Sequence, residues 1–106
     1  MDAGSRIQRV RRRGSARWRL LRWLRRTACA KGQIDEEHAG QWGFALGQVA
    51  HWLEMACDSA GRGVEAAALR AVRDACIEEA ARAHHHELPW RARALELAAR
   101  KIATLA

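Results

Sequence analysis

Apolar residues recur along this chain at intervals of three and four, the spacing of one helix face rather than the alternation of a strand. Four stretches carry the pattern. In the first, about 16–31, Leu20, Leu24 and Ala28 stand one turn apart with Leu21 beside them. Arg19, Arg22 and Arg26 take the opposite face, with Arg25 nearby. Trp23 borders the leucines and Trp18 lies toward the arginines. Ser15 is placed to cap this helix, because its hydroxyl can accept an early helix N–H, and Gly32 is placed to stop it.

The second stretch, about 36–59, follows Asp35 as N-cap, with Glu36 and Glu37 at the positive helix end. Ala39, Trp42, Leu46, Val49, Leu53 and Ala56 form a coiled-coil-like seam. Beside it run Gly40, Gly43, Gly47 and Ala50. A glycine inside a helix costs about 1 kcal/mol relative to alanine, so three on one side predict close backbone approach by a neighbouring helix. Trp52 falls off the seam, near Ala45 and Gln48.

"DSAGRG" at 58–63 breaks the chain, with Gly61 and Gly63 as punctuation. The third helix, about 64–85, lines one side with Leu69, Val72, Cys76, Ala80 and Ala83, with Ile77 adjacent. Arg70, Arg73, Asp74, Glu78 and Arg82 decorate the other, and Glu78 and Arg82 are spaced for an i,i+4 ion pair. Pro89 disfavours helical geometry at Leu88 and suits the first position of a fourth helix, about 89–105. That helix carries Ala94, Leu95, Ala98, Ile102 and Leu105 on one face. The expectation is an all-α, four-helix bundle-like domain over 15–106, preceded by a flexible basic arm over 1–14.

Composition agrees with this class. The 106 residues are 49% hydrophobic and 29% charged, with one proline and no tyrosine, which is globular and helix-biased. Charge adds an asymmetry. Residues 1–32 hold ten arginines and Lys31 against Asp2 alone, whereas 33–106 hold eight basic and eleven acidic residues. A cationic arm and first helix are thus joined to a mildly acidic body, which points to an anionic partner or to an acidic protein surface. The arginine-rich, acid-poor start shares its composition with organellar transit peptides, but the helix that follows suits a mature domain.

Cys29, Cys57 and Cys76 are odd in number and lack a CxxC pair. They read as small apolar thiols in a reducing, cytoplasmic setting. No run approaches the roughly 20 apolar residues that span a bilayer. His84, His85 and His86 are dense, but successive helix positions diverge by about 100° and do not converge on one ion. No metal site is expected there; a polar helix end is. Cys57 with His51 and Asp58 could be written as a catalytic set, yet nothing in the spacing joins them, and no GxSxG, P-loop or GxGxxG occurs. The expectation is a protein without catalytic residues or cofactors.

Five tryptophans, Trp18, Trp23, Trp42, Trp52 and Trp90, are many for a body this small, and exposed indoles mark interfaces. A homodimer is the simplest way to cover them. Gly40, Trp42, Gly43, Leu46, Gly47, Val49, Trp52 and Leu53 are the candidate helix-packing or dimer positions. Trp18, Leu20, Leu21, Trp23 and Leu24 are the candidate partner-binding face, steered by Arg19, Arg22 and Arg26. The leading expectation is a non-enzymatic interaction module, a small regulator that binds and blocks another regulatory protein such as a transcription factor, in the manner of an anti-activator. The alternatives are a nucleic-acid-binding protein, with arginines on phosphates and tryptophans on bases, and a basic amphipathic helix lying on a membrane surface.

Overall fold

In a computed structural model, residues 15–29, 36–60 and 65–105 are described. Every secondary-structure element among them is an α-helix: α1 Ala16–Cys29, α2 Glu36–Ala60, α3 Glu65–His85 and α4 Pro89–Leu105. The expected arm over 1–14, and the expected punctuation at Gly32, Asp35, Gly61 and Gly63, lie outside the described residues. No helix among the described residues is long and apolar enough to cross a membrane.

The periodic apolar positions become one shared core. Leu20 and Leu24 of α1 meet Trp42, Ala45, Leu46, Val49 and Leu53 of α2, Leu69, Val72, Cys76 and Ala80 of α3, and Ala94, Leu95, Ala98, Ala99 and Ile102 of α4. Many of the α3 and α4 members are alanines, and these two helices make the most extensive pairing in the structure. Small side chains let helix backbones approach closely, so α3 and α4 pack as a tight hairpin. Ile77 departs from expectation. It sits one position beyond Cys76, about 100° further round the helix, and is 54% exposed.

The α3–α4 turn closes with a Schellman motif. Leu88 N–H donates to Ala83 O at 2.8 Å and Glu87 N–H to His84 O at 3.2 Å. Glu87 carries the positive φ this motif requires, 59°. A glutamate there bears steric strain that glycine avoids. Pro89 then starts α4, and Ala92 N–H donates to Leu88 O at 3.0 Å, so Leu88 is the half-in residue the sequence placed it to be.

Arg91 joins three helices. Its guanidinium donates to Gln48 Oε1 of α2 at 2.7 Å and meets Glu79 Oε2 of α3 at 3.5 Å. Glu79 also pairs with Arg82 at 2.7 Å, so Arg82 takes the carboxylate three residues back rather than the expected Glu78.

Replacing Glu87 with glycine removes the strain at the turn. The expected result is a stabilisation of up to about 1 kcal/mol in urea unfolding at unchanged m-value. A destabilised Glu87→Gly variant would show that the glutamate side chain contributes more than its backbone geometry costs.

Candidate functional site

The candidate site is built on α1, and what α1 can do depends on how it is held. Its N-terminus is capped twice. Trp18 N–H donates to Ser15 Oγ at 3.1 Å, the local cap the sequence predicts. Arg17 N–H donates to Glu65 Oε1 at 2.8 Å, a carboxylate from the first turn of α3. Glu65 therefore places negative charge at the positive ends of two helices. At the other end, the Trp42 indole N–H of α2 donates to Thr27 O at 3.0 Å. Thr27 lies in the last turn of α1, where carbonyls lack an intrahelical donor. Trp42 is itself held edge-on by Trp90 of α4, with ring centroids 6.2 Å apart.

These ties also fix direction. The start of α1 lies at the α2–α3 junction and its end lies beside the first half of α2, so α1 and α2 run antiparallel. Between them, Leu20 and Leu24 are 0% and 2% exposed. Both were candidates for a partner-binding face, and the structure places them in the protein's own core. An amphipathic stripe looks the same in sequence whether it packs inward or onto a partner. With both leucines committed, α1 has no open leucine stripe to lay into a groove or a membrane interface.

The remaining candidates divide by position. Leu21 and Trp23 are half-buried and pack against the core's edge. Trp18 is 42% exposed, and Arg19, Arg22, Arg25 and Arg26 all face outward. No carboxylate among the described residues pairs with any of these four arginines. The outer side of α1 is therefore a firmly held cationic surface carrying one open indole.

A groove of about 850 Å³ adjoins that surface, between α1 and α2. Leu21, Leu24, Leu46, Ala50, Gly43 and Gly47 contribute its apolar lining, and Arg22, Arg25 and Arg26 its cationic groups. Glu54 is the single acidic residue in its lining. The glycines were expected to admit a neighbouring helix. Here the structure differs: a Cβ at Gly40, Gly43 or Gly47 would meet nothing within 4 Å. No helix of the described chain occupies the space they leave.

The other helix-packing candidates of α2 also resolve. Trp42, Leu46, Val49 and Leu53 belong to the internal core, and Trp52 is half-buried against it. The expectation of several exposed indoles is corrected as well. Trp23, Trp52 and Trp90 lean on the core, Trp42 is buried, and only Trp18 of the five stands open. The large apolar exposure falls instead on Phe44 (70%), Met55 and Ile77. Phe44, two residues before the seam residue Leu46, was not among the residues expected to be exposed. Its place one turn after Gly40, on the side of α2 away from Trp42, was the available signal.

The histidine run spreads as its spacing demands. His84 Nε2 donates to Glu96 Oε1 of α4 at 2.5 Å, and the His85 and His86 rings contact each other edge-on at 5.4 Å. Among the described residues no three metal-donor side chains converge. A second groove of about 610 Å³ lies between α3 and α4, lined by Ile77, Arg73, Arg100 and the His84–Glu96 pair. Its lining is mostly apolar, from Ile77 and four alanines, and its charged groups are of mixed sign. His51 and Cys57 lie six residues apart on α2, about 120° around the helix from one another, which separates that written catalytic pair.

The cysteines sort by burial. Cys76 is fully buried, and desolvation pushes its thiol up to about 12. A group whose pKa lies that high stays protonated at pH 8, and the thiol is a poor nucleophile. Cys29 is exposed. Timed alkylation at pH 8 is expected to modify Cys29 within the native protein while Cys76 reacts only on unfolding. Equal rates for the two would contradict the burial of α3.

No family model, curated protein or solved structure matches this chain.

Proposed function

We propose that this protein is a non-enzymatic interaction module: a small helical regulator that docks on an acidic surface of another regulatory protein and blocks it, working as a homodimer. The observation that carries the reading is the outer side of α1. Arg19, Arg22, Arg25 and Arg26 stand there without carboxylate partners among the described residues, beside the exposed Trp18. A lone surface arginine is worth little. Four on a helix tied at both ends form a pre-organised patch, and pre-organisation lowers the entropy lost on binding. Arginine and tryptophan are also the residues most often found as interface anchors. Blocking a transcription regulator is the most specific form of this reading, and it rests on size and class rather than on a named partner.

Nucleic acid is the second reading, and exposure of Trp18 next to the arginines favours it, because an indole can stack on an unpaired base. Salt separates the two. Five arginines of α1 on duplex phosphates would give a slope near −4.5 in log affinity against log salt, at about −0.9 per phosphate.

Affinity capture on the full chain, with and without nuclease, tests the proposal. The expected result is a protein that survives nuclease treatment and is lost when Arg19, Arg22 and Arg26 are changed together to glutamate. Retention by that triple variant would contradict it. A captured species that vanishes with nuclease, with a steep salt slope, would favour the nucleic-acid reading instead.

A further inference from the structure

α1 has no open leucine stripe to offer a partner, but together with α2 it forms a groove that can receive one. α1 lines that groove from Trp18 to Ala28 and α2 lines it from Gly43 to Glu54. At 1.5 Å per residue each stretch is about 15 Å long, the length of roughly three helical turns. The two stretches run antiparallel, because the Trp42 indole donates to Thr27 O near the end of α1 and Glu65 of α3 accepts from Arg17 near its start. Gly43 therefore lies toward Arg25 and Arg26, and Glu54 toward Trp18. Charge divides the groove along its length. On the α1 side Arg22, Arg25 and Arg26 are exposed, and no carboxylate among the described residues pairs with them. On the α2 side Gly43, Leu46, Gly47 and Ala50 carry no charge, and Glu54 is the one acid. A Cβ at Gly43 or Gly47 would meet nothing within 4 Å, so no helix of the described chain uses this room.

We infer that the groove receives an α-helix of the partner protein, with small or apolar residues on the face it buries and carboxylates along the one edge that lies beside α1. Complementary charge selects this occupant. A carboxylate at Arg25 or Arg26 forms the charge-assisted, bidentate contact that the described chain does not supply. Glu54 repels acid at the Trp18 end, so the partner's carboxylates gather toward Arg25 and Arg26. The apolar face packs over Gly43, Gly47 and Ala50, whose size permits close helix approach.

The chain's own segments lack this chemistry. Residues 1–14 carry five arginines against Asp2. α4 holds Arg91, Arg93, Arg100 and Lys101 against Glu96. In α3, Glu65 is engaged with α1 and Glu79 with Arg82 and Arg91, while Asp74 and Glu78 stand among arginines. The shape and one-sided charge also separate a helix from other anions. A small amphipathic anion needs one cationic end rather than three turns of length, and nucleic-acid phosphates gain nothing from the uncharged α2 side.

This inference rests on the docking reading proposed above and names the element of the partner that docks. Fluorescence anisotropy with labelled synthetic peptides of about 15 residues, long enough to form helix in water, tests it. The peptides carry alanine and leucine on one face and glutamate along one edge of that face. The full chain is expected to bind them, and to bind polyglutamate at least tenfold more weakly. Gly47→Leu fills the groove, where the chain has room for it, and is expected to weaken peptide binding at least tenfold at unchanged helical circular dichroism. Arg25→Glu combined with Arg26→Glu is expected to release the glutamate peptides and to bind the same set with lysine in place of glutamate. Polyglutamate or oligothymidylate bound as tightly as the patterned peptides would overturn the inference, as would wild-type affinity in Gly47→Leu. Binding of dodecanoate but of no peptide at millimolar concentration would overturn it in favour of a small anion. The two proposals fail separately. If Gly47→Leu captures a nuclease-resistant partner as the wild type does, while the Arg19, Arg22 and Arg26 variant does not, the groove inference falls and docking through the α1 surface stands. If the peptides bind as expected and the full chain captures no protein, the groove stands as a helix site and the docking reading falls.

Discussion

The structure turns on how α1 is attached. Leu20 and Leu24 bury fully in the shared core, and Ala16, Leu21, Trp23 and Ala28 pack against its edge. Hydrogen bonds then fix the two ends of the helix. Glu65 and Ser15 satisfy donors at the start of the helix, and the Trp42 indole satisfies a carbonyl at its end. Each group would otherwise rely on water, and each contact ties α1 to a different helix or to its own cap. Remove the attachment and the groove, the cationic face and the Trp42–Trp90 contact lose their shared support.

Attachment also separates two properties that the sequence superimposes. The same fourteen residues that supply the core with two leucines place five arginines on or beside the outer surface. Because the leucines are committed inward, the arginines cannot serve as mere flanks to an inserting apolar stripe. They are the surface. Opposite them in the chain stands α2, acidic at its ends and glycine-rich on its open side. The basic helix is thus followed in sequence by one without lysine or arginine, and the outward arginines of α1 meet no carboxylate among the described residues.

Much of this was readable from residue spacing. The α2 seam of Trp42, Leu46, Val49 and Leu53, the α3 line from Leu69 to Ala83, the Ser15 cap and the Pro89 start all follow from local rules of period and hydrogen bonding, and all are seen. What spacing does not show is which body an apolar face meets. Leu20 and Leu24 therefore read as a docking surface. The glycines of α2 read as a helix-packing or dimer contact, because their cost in helix stability implies a neighbour without saying whose. Trp23, Trp52 and Trp90 read as surplus because indoles are large, yet a ring at the edge of a helix face can lean across its neighbours. Phe44 escaped notice for the converse reason, since an aromatic beside a seam is ordinarily counted with it. The strained turn at Glu87 carries no sequence mark, since glycine is the usual residue there.

Amide hydrogen exchange across α1 measures the central claim most directly. If the helix is fixed by two buried leucines and by ties at both ends, amides at Leu24 and its neighbours exchange with protection close to that of Val72 in α3, and Trp42→Phe lowers it. Exchange of the α1 amides at the rate of an unfolded peptide, while α3 and α4 stay protected, would contradict the account.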